Sequence, residues 1–320
     1  MKRSLALVAA ALLAGSVAVA AAPAQAAPKQ AYNINTLAGK VASVNGTAGL
    51  QIRFSAFIEE EAADPGATGP TTAPITPTFV PGSPLDGNTV LPPDVTVNQD
   101  TAAAPQNETS IAVDPNNPNH LVAGANDYVT RTWSCTVGGT PCSALGDGYS
   151  GSDYSTDGGT TWCCTSSDRS NIGTLIPGVE HLVGGPYGAG GDPAVTFDSR
   201  GTAYYAGLGF NRTSAPNTVT VSRGTFAGSS LSWSAPTFIN PTTSPTIFND
   251  KEWIAADQNT ASAFRDRVYV TWTRFLFNPQ TGNYVQSPIA FVSSSDGGRT
   301  FTTPKLISGN VLYGQGSRPV

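Results

Sequence analysis

Histidine is almost absent from this 320-residue chain: His120 and His181 are the only two, beside one methionine and four cysteines. So little imidazole argues against a His-rich metal centre, and no metal or other cofactor is expected. Charge is scarce as well, with 12% Asp, Glu, Lys and Arg and a net charge of −5. An acidic, lightly charged chain lacks the basic footprint that nucleic acid requires, so no nucleic-acid partner is expected. No long stretch combines helical periodicity with capping signals. Long apolar runs are missing too, except at the very start.

That start has its own reading. Lys2 and Arg3 precede "SLALVAAALLAGSVAVAAA", and "AQA" at 24–26 supplies small residues at a cleavage-like site. The pattern is that of a secretory signal peptide, expected to span 1–27 with cleavage after residue 26 or 27. A membrane anchor is the alternative, but no charged stop-transfer flank follows. The mature protein is therefore expected to be secreted, to lack a membrane span and to be more negative by two charges. Export makes disulfides the expected state of Cys135, Cys142, Cys163 and Cys164, with three connectivities open. Nothing beside them resembles the Cys–His pair of a catalytic thiol.

What is abundant is glycine, 34 residues, and proline, 25. These favour turns and short strands over helices. Residues 28–93 divide into a modestly apolar segment and, from 61, a run such as "DPGATGPTTAPITPTFVPGSPLDG" that buries too little to offset its ordering entropy. The latter reads as a linker. From 94 to 320 the texture becomes short alternating runs between turn residues.

Within that stretch one pattern recurs. "NETSIAVDP" begins at Asn107, "GDPAVTFDS" at Gly191 and "DKEWIAADQ" at Asp250. Aligning Ile111, Val195 and Ile254 puts Asp114, Asp198 and Asp257 in register. Each start is followed by a second apolar run ("HLVAGA", "TAYYAGL", "RVYVTWT"), a polar stretch, and an aromatic: Trp162, Trp233 or Phe301. The last five residues, "GSRPV", look like a fourth start. Units with room for about four strands, repeated along the chain, predict an all-β fold of β-propeller type. A two-sheet sandwich is the alternative, but it does not explain why a whole strand pattern recurs.

Two units carry a nearly identical octet, "STDGGTTW" ending at Trp162 and "SSDGGRTF" ending at Phe301. Glycine supplies positive φ, and Asp with Ser or Thr bonds nearby amides, so the octet reads as a rigid corner between strands. Ser155, Asp157, Gly159, Thr161 and Trp162 form one such corner; Ser294, Asp296, Gly298, Thr300 and Phe301 form the other. The middle unit has Gly228 where the aspartate should be, in "FAGSSLSW", so its turn type is expected to differ.

These octets resemble the Asp box, S-x-D-x-G-x-T-W/F, of the sialidase-like (BNR-repeat) propellers, and the flanking repeat starts resemble those of secreted bacterial members. The resemblance covers roughly 94–320. It implies four-stranded blades, about three of them complete here, and a six-bladed whole of which this chain would be a portion. For function it implies an exo-sialidase-type glycoside hydrolase acting on extracellular glycans. The alternatives are a non-catalytic propeller that binds a glycan, polymer or protein, and an enzyme of other chemistry on the same scaffold. Family members hold a substrate carboxylate with three arginines and use a Tyr–Glu nucleophile pair with an Asp acid/base. The family's Arg-Ile-Pro motif is missing from the first unit, "SRPV" at Arg318 is only a partial echo, and no Tyr–Glu pair carries over.

Strand polarity then locates a candidate face. Corners between strands three and four lie at one end; the starts of first strands and exits of second strands lie at the other. The starts carry Glu108, Asp192, Asp250, Lys251, Glu252 and Arg318, and the exits carry Asp127, Tyr128, Arg131, Arg212 and Arg274. In that scheme Glu108, Arg131, Arg212, Arg274 and Arg318 hold an anionic sugar, and Asp127, Tyr128, Asp192, Asp250 or Glu252 supply the chemistry.

Overall fold

The computed structural model describes residues 31–48, 94–98, 106–128, 136–137, 140–141, 148–163 and 175–320. It is mostly β, in antiparallel sheets. Helix α1 spans Leu37–Ala48. The first sheet joins β1 (Gln106–Asp114), β2 (Asn117–Asp127) and β5 (Tyr149–Ser155), with a two-residue hairpin of β3 (Thr136–Val137) and β4 (Thr140–Pro141) between the last two. The second runs β6 (Ala189–Phe197), β7 (Ala203–Phe210), β8 (Asn217–Ala227) and β10 (Thr237–Thr242), with β9 (Ser230–Trp233) also paired to β8. The third runs β11 (Ile247–Ala256), β12 (Val268–Phe277), β14 (Ile289–Ser294) and β15 (Lys305–Leu306), with β13 (Tyr284–Gln286) on β12. Each sequence repeat is thus one antiparallel sheet whose strands follow chain order.

The first strands of the three sheets lie side by side, β6 between β1 and β11. The apolar cores fill the two seams that result. One holds Val122, Ile176, Val179, Val195, Phe197 and Tyr205 between sheets one and two. The other holds Tyr204, Leu208, Phe248, Ile254, Val270 and Trp272 between sheets two and three. Two seams around a shared middle strand differ from the single face-to-face core of a sandwich.

The three aligned aspartates do one job. Asp114 accepts from Asn116 N–H at 2.8 Å, Asp198 from Arg200 and Thr202 N–H at 2.9 Å each, and Asp257 from Asn259 N–H at 3.0 Å. Each closes the turn between the first and second strand of its unit.

The two octets fold almost identically. Ser155 Oγ donates to Asp157 Oδ1 at 2.8 Å and accepts Gly159 N–H at 2.9 Å; Asp157 also takes Thr161 N–H at 2.8 Å and Thr161 Oγ1–H at 2.6 Å. In the second corner the matching distances are 2.8, 2.8, 2.9 and 2.6 Å. Threonine hydroxyl and amide donors hold both carboxyls down to about 2. Asp296→Ala is expected to cost about 1 kcal/mol, since these charge-assisted bonds are screened by solvent, and urea unfolding measures it. The middle corner does change type: Ala227 pairs with Ser230 around Gly228 (φ +62°), a two-residue hairpin with no aspartate to lock.

Trp162, Trp233 and Phe301, the aromatics that recur in the three units, are all half-buried. Trp233 packs into the seam toward sheet one and donates Nε1–H to Ser152 Oγ at 3.0 Å; Phe301 packs into the seam toward sheet two. Each thus faces the preceding sheet across a seam open at its end. Trp162 has no preceding sheet among the described residues, and its Nε1–H closes onto Gly159 O at 3.1 Å.

Two expectations give way. A helix forms where none was expected, because Thr36 Oγ1 accepts the Gly39 N–H at 3.1 Å as a cap and Ile34, Leu37, Val41 and Val44 enter the second core. Tertiary burial overrides the weak propensity of Gly39 and Gly46. "GSRPV" is not a strand: beyond Leu306 the chain bends past the third sheet without a ladder, and Gly314 N–H bonds Ser287 O at 3.1 Å. Cys163 is disulfide-bonded; Cys135, Cys142 and Cys164 lie outside the described residues, so the connectivity is left open. The signal segment also lies outside them. Among the described residues no helix is long and apolar enough to cross a membrane.

Candidate functional site

Each first strand carries a bulge at the same repeat position. The ladders shift register between Asn107 and Ser110, Gly191 and Ala194, and Asp250 and Trp253. Within each shift sits one non-glycine residue in the left-handed region: Glu108 at φ +54°, Asp192 at +53° and Lys251 at +49°. Such a conformation costs on the order of 1 kcal/mol or more for a side chain like Glu or Lys. Neighbours hold it in place. Asn126 accepts the Asp192 N–H at 2.6 Å and donates to Asn107 at 3.0 Å, while Asn249 bonds Asn217 through both its N–H and its side-chain amide. Gly191 is required beside this clamp, because a Cβ there would sit 2.4 Å from Asn126 Oδ1.

Bulges re-aim side chains, and these three converge. Lys251 Nζ donates to Glu108 Oε2 and lies 3.8 Å from Asp192 Oδ2. Asp250 and Glu252, on either side of Lys251, are buried. Glu108, Asp192, Lys251 and Glu252, together with Thr109, Pro193 and Trp253, line a cleft of about 230 Å³. Arg318 lies over the Trp253 ring at 4.6 Å, and Gln315 donates to Asp250 Oδ2 at 3.2 Å.

The electrostatics follow from four carboxyls around one ammonium. Burial first, then Asp192, push Glu108 up to about 8 against the pull of Lys251. Burial and Asp192 push Asp250 up to about 7. Burial drives Glu252 well above the carboxylate range, and neither of its oxygens has a hydrogen-bond partner among the described residues. Burial opposes charge on Lys251, but Asp192, Glu108 and Asp250 outweigh it and hold the ammonium above its ordinary value. The cleft therefore keeps exchangeable protons and hydrogen-bonding oxygens at neutral pH. Among the described residues no group of His, Cys, Asp and Glu has the arrangement to hold a metal ion.

Of the sequence candidates, the structure brings together Glu108, Asp192, Asp250, Lys251 and Glu252, with Arg318 at the edge. Asp127 and Tyr128 are buried at the exit of β2, where Asp127 pairs with Gln106. Arg212 sits after β7 with its carbonyl on the N–H of Leu37, and Arg274 stands across from Asn249; no ion pair joins either to the cluster. Arg131 lies outside the described residues.

Glu180 was not foreseen. It is fully buried near Asp127, accepts Ser150 N–H and Oγ–H at 2.8 Å each, and burial pushes it up to about 7. Nothing in "PGVEHLV" signals this; only the close approach of Ser150 reveals it. A larger cleft of about 490 Å³ against Ile111, Gly124 and Asp153 contains one titratable group and no such cluster.

No protein-family model matches the chain, and no curated protein does. Among solved structures it is similar to a Trypanosoma rangeli sialidase in complex with sialic acid, at 16% identity and TM-score 0.32, covering 62% of this chain and 30% of that one. It is similar to an exo-beta-1,3-galactanase from Phanerochaete chrysosporium at 9% and 0.31, covering 66% and 53%. A protein of unknown function from Dyadobacter fermentans stands at 12% and 0.25, covering 66% and 71%. The chain spans about a third of the first of these. Scores this low decide nothing, and the fold rests on the strand topology described above.

Proposed function

We propose that this chain is part of an exported, sialidase-like Asp-box β-propeller, and that the cleft at Glu108, Asp192 and Lys251 receives an extracellular glycan. The observation that carries the reading is convergence: one repeat position, strained three times over, delivers three polar side chains to one cleft. Strain concentrated at a repeated position that builds a cleft is a mark of a functional site. Carboxyls suit sugar hydroxyls as acceptors, and Trp253 adds an aromatic wall.

The charge of the cleft favours an uncharged sugar. Exo-sialidase action would need guanidinium forks for the substrate carboxylate, whereas the arginine at this edge, Arg318, is engaged over Trp253. One observation favours hydrolysis over binding alone: Glu108, which lines the cleft and is raised to about 8, keeps a transferable proton there at neutral pH. Incubating the secreted protein with sialosides and with uncharged oligosaccharides, and following released sugar, tests both. Release or retention of uncharged sugars is the expected result. Cleavage of sialosides alone would reverse the charge reasoning.

A further inference from the structure

At the opposite end of the second seam, next to the second Asp-box corner, lies another cleft, of about 250 Å³. It is lined by Arg200, Arg223 and Arg299 with Tyr204, Asp198 and Asp296. Three guanidinium groups in one small cleft are unusual for a chain with 17 basic residues and a net negative charge. The two acids there are already engaged. Asp198 accepts from two backbone amides and from Tyr204 Oη–H at 3.0 Å, and Asp296 is taken up by its own corner.

The arginines are not matched in the same way. Arg299 donates to the Asp296 carbonyl at 2.7 Å, and Arg200 pairs with Asp266 at 3.0 Å. Arg223 has no ion pair among the described residues. Arg200 and Arg223 both act electrostatically on the Tyr204 hydroxyl, which places their charges around one point. Gly297, at φ +69°, lines the cleft, and Gly298, at +75°, follows it in the corner. A Cβ on Gly297 would stand 3.4 Å from Tyr204 Oη and 3.7 Å from Arg299 Nη1; one on Gly298 would stand 3.7 Å from Arg223 Cδ. The corner glycines therefore leave open the space that the three side chains surround.

The first corner has the same backbone and none of this chemistry. Its glycines face Asn119, Leu121 and Trp162, and Thr160 stands where Arg299 stands in the second. The corner fold does not require arginines, so their presence at one corner calls for another reason. The cationic surface also continues: Arg265 shares Asp266 with Arg200 and donates to Ser199 Oγ at 2.8 Å. Two arginines on one aspartate leave a surplus positive charge beside the cleft.

We propose that this cleft binds the carboxylate or sulfate groups of an acidic polysaccharide, with Arg223 and Arg299 as the principal contacts and Arg200 and Arg265 extending the track. Guanidinium forks match both oxyanions, and a row of cations suits a polymer better than a single ion. The site is separate from the acidic cleft at the other end, so the failure of either reading leaves the other standing. The test is calorimetric titration of the full chain with polygalacturonate, dextran sulfate and uncharged dextran, at low and at physiological salt. Binding is expected for at least one acidic polymer and not for dextran, and the arm that binds separates carboxylate from sulfate. Arg223→Ala with Arg299→Ala should weaken it about tenfold, the order expected for two charge-assisted contacts, while Lys305→Ala should not. Should the double variant lose its circular dichroism, Arg223→Gln alone keeps the test, with a smaller loss expected. No binding to either acidic polymer at low salt, or unchanged binding by the arginine variants, would overturn the proposal.

Discussion

Lys251→Met is expected to lower the melting temperature at pH 7.5 by on the order of 10 °C. Among the described residues Lys251 is the only cation within the cluster of Glu108, Asp192, Asp250 and Glu252, and three of those acids are buried. Removing one partner of a buried ionic group leaves the others uncompensated and costs roughly 3–5 kcal/mol. In a folded unit of this size each kcal/mol moves the melting temperature by about 2–4 °C. At pH 5 Glu108 and Asp250, raised to about 8 and about 7, are protonated and need no counter-charge, so the loss should shrink. Lys305→Met, on the exposed edge strand β15, should change neither value appreciably. Equal melting of Lys251→Met and wild type at pH 7.5 would show that the lysine does not hold this cluster together.

The wild-type protein should itself be most stable near pH 4–5, an acid optimum for a chain with no cluster of histidines. Two sets of carboxyls pull in opposite directions. Asp157 and Asp296 are depressed to about 2 in the fold, so their contribution is present above the unfolded carboxylate range and lost as pH falls from about 4 toward 2. Glu108, Glu180 and Asp250 are raised to about 8, about 7 and about 7. Between the unfolded value and those folded values the native state binds more protons than the unfolded one. Their contribution is therefore complete below about pH 4 and lost as pH rises through 7 to 8. At about 1.4 kcal/mol per unit for each group, the fall between pH 5 and 8 amounts to several kcal/mol even after discounting the partly exposed Glu108. Thermal melts across pH 3–9 measure it. A flat or rising profile from pH 5 to 8 would mean that these carboxyls are not buried as described.

How much of this was legible in the sequence depends on the range of the interaction that fixes each feature. The corners were legible because the bonds that lock them run among Ser155, Asp157, Gly159 and Thr161, within four residues of one another. The turn aspartates were legible for the same reason. The gathering of Glu108, Asp192 and Lys251 followed from the repeat alignment plus strand polarity. Their left-handed backbone did not, because Glu and Lys have no intrinsic preference for it; Asn126 and Asn217 impose part of it from adjacent strands. Helix α1 was hidden because its stability comes from the core it enters rather than from its own residues. The arginine cleft was hidden for a related reason. Arg200, Arg223 and Arg299 are far apart in the repeat, and only the packing of sheet two against sheet three unites them.

The central claim is that the cleft built by the three bulges receives an uncharged sugar. Calorimetric binding of a set of neutral oligosaccharides to wild type and to Asp192→Asn tests it most directly. Asparagine keeps the shape of Asp192 and alters the charge and hydrogen bonding beside Lys251, so the fold should survive, which an unchanged circular dichroism spectrum would check. The account predicts that at least one neutral oligosaccharide binds wild type and that Asp192→Asn weakens it about tenfold or more, the loss expected when a charged hydrogen-bond acceptor is removed. Binding that is identical in the two proteins, or found only for sialylated sugars, would contradict it.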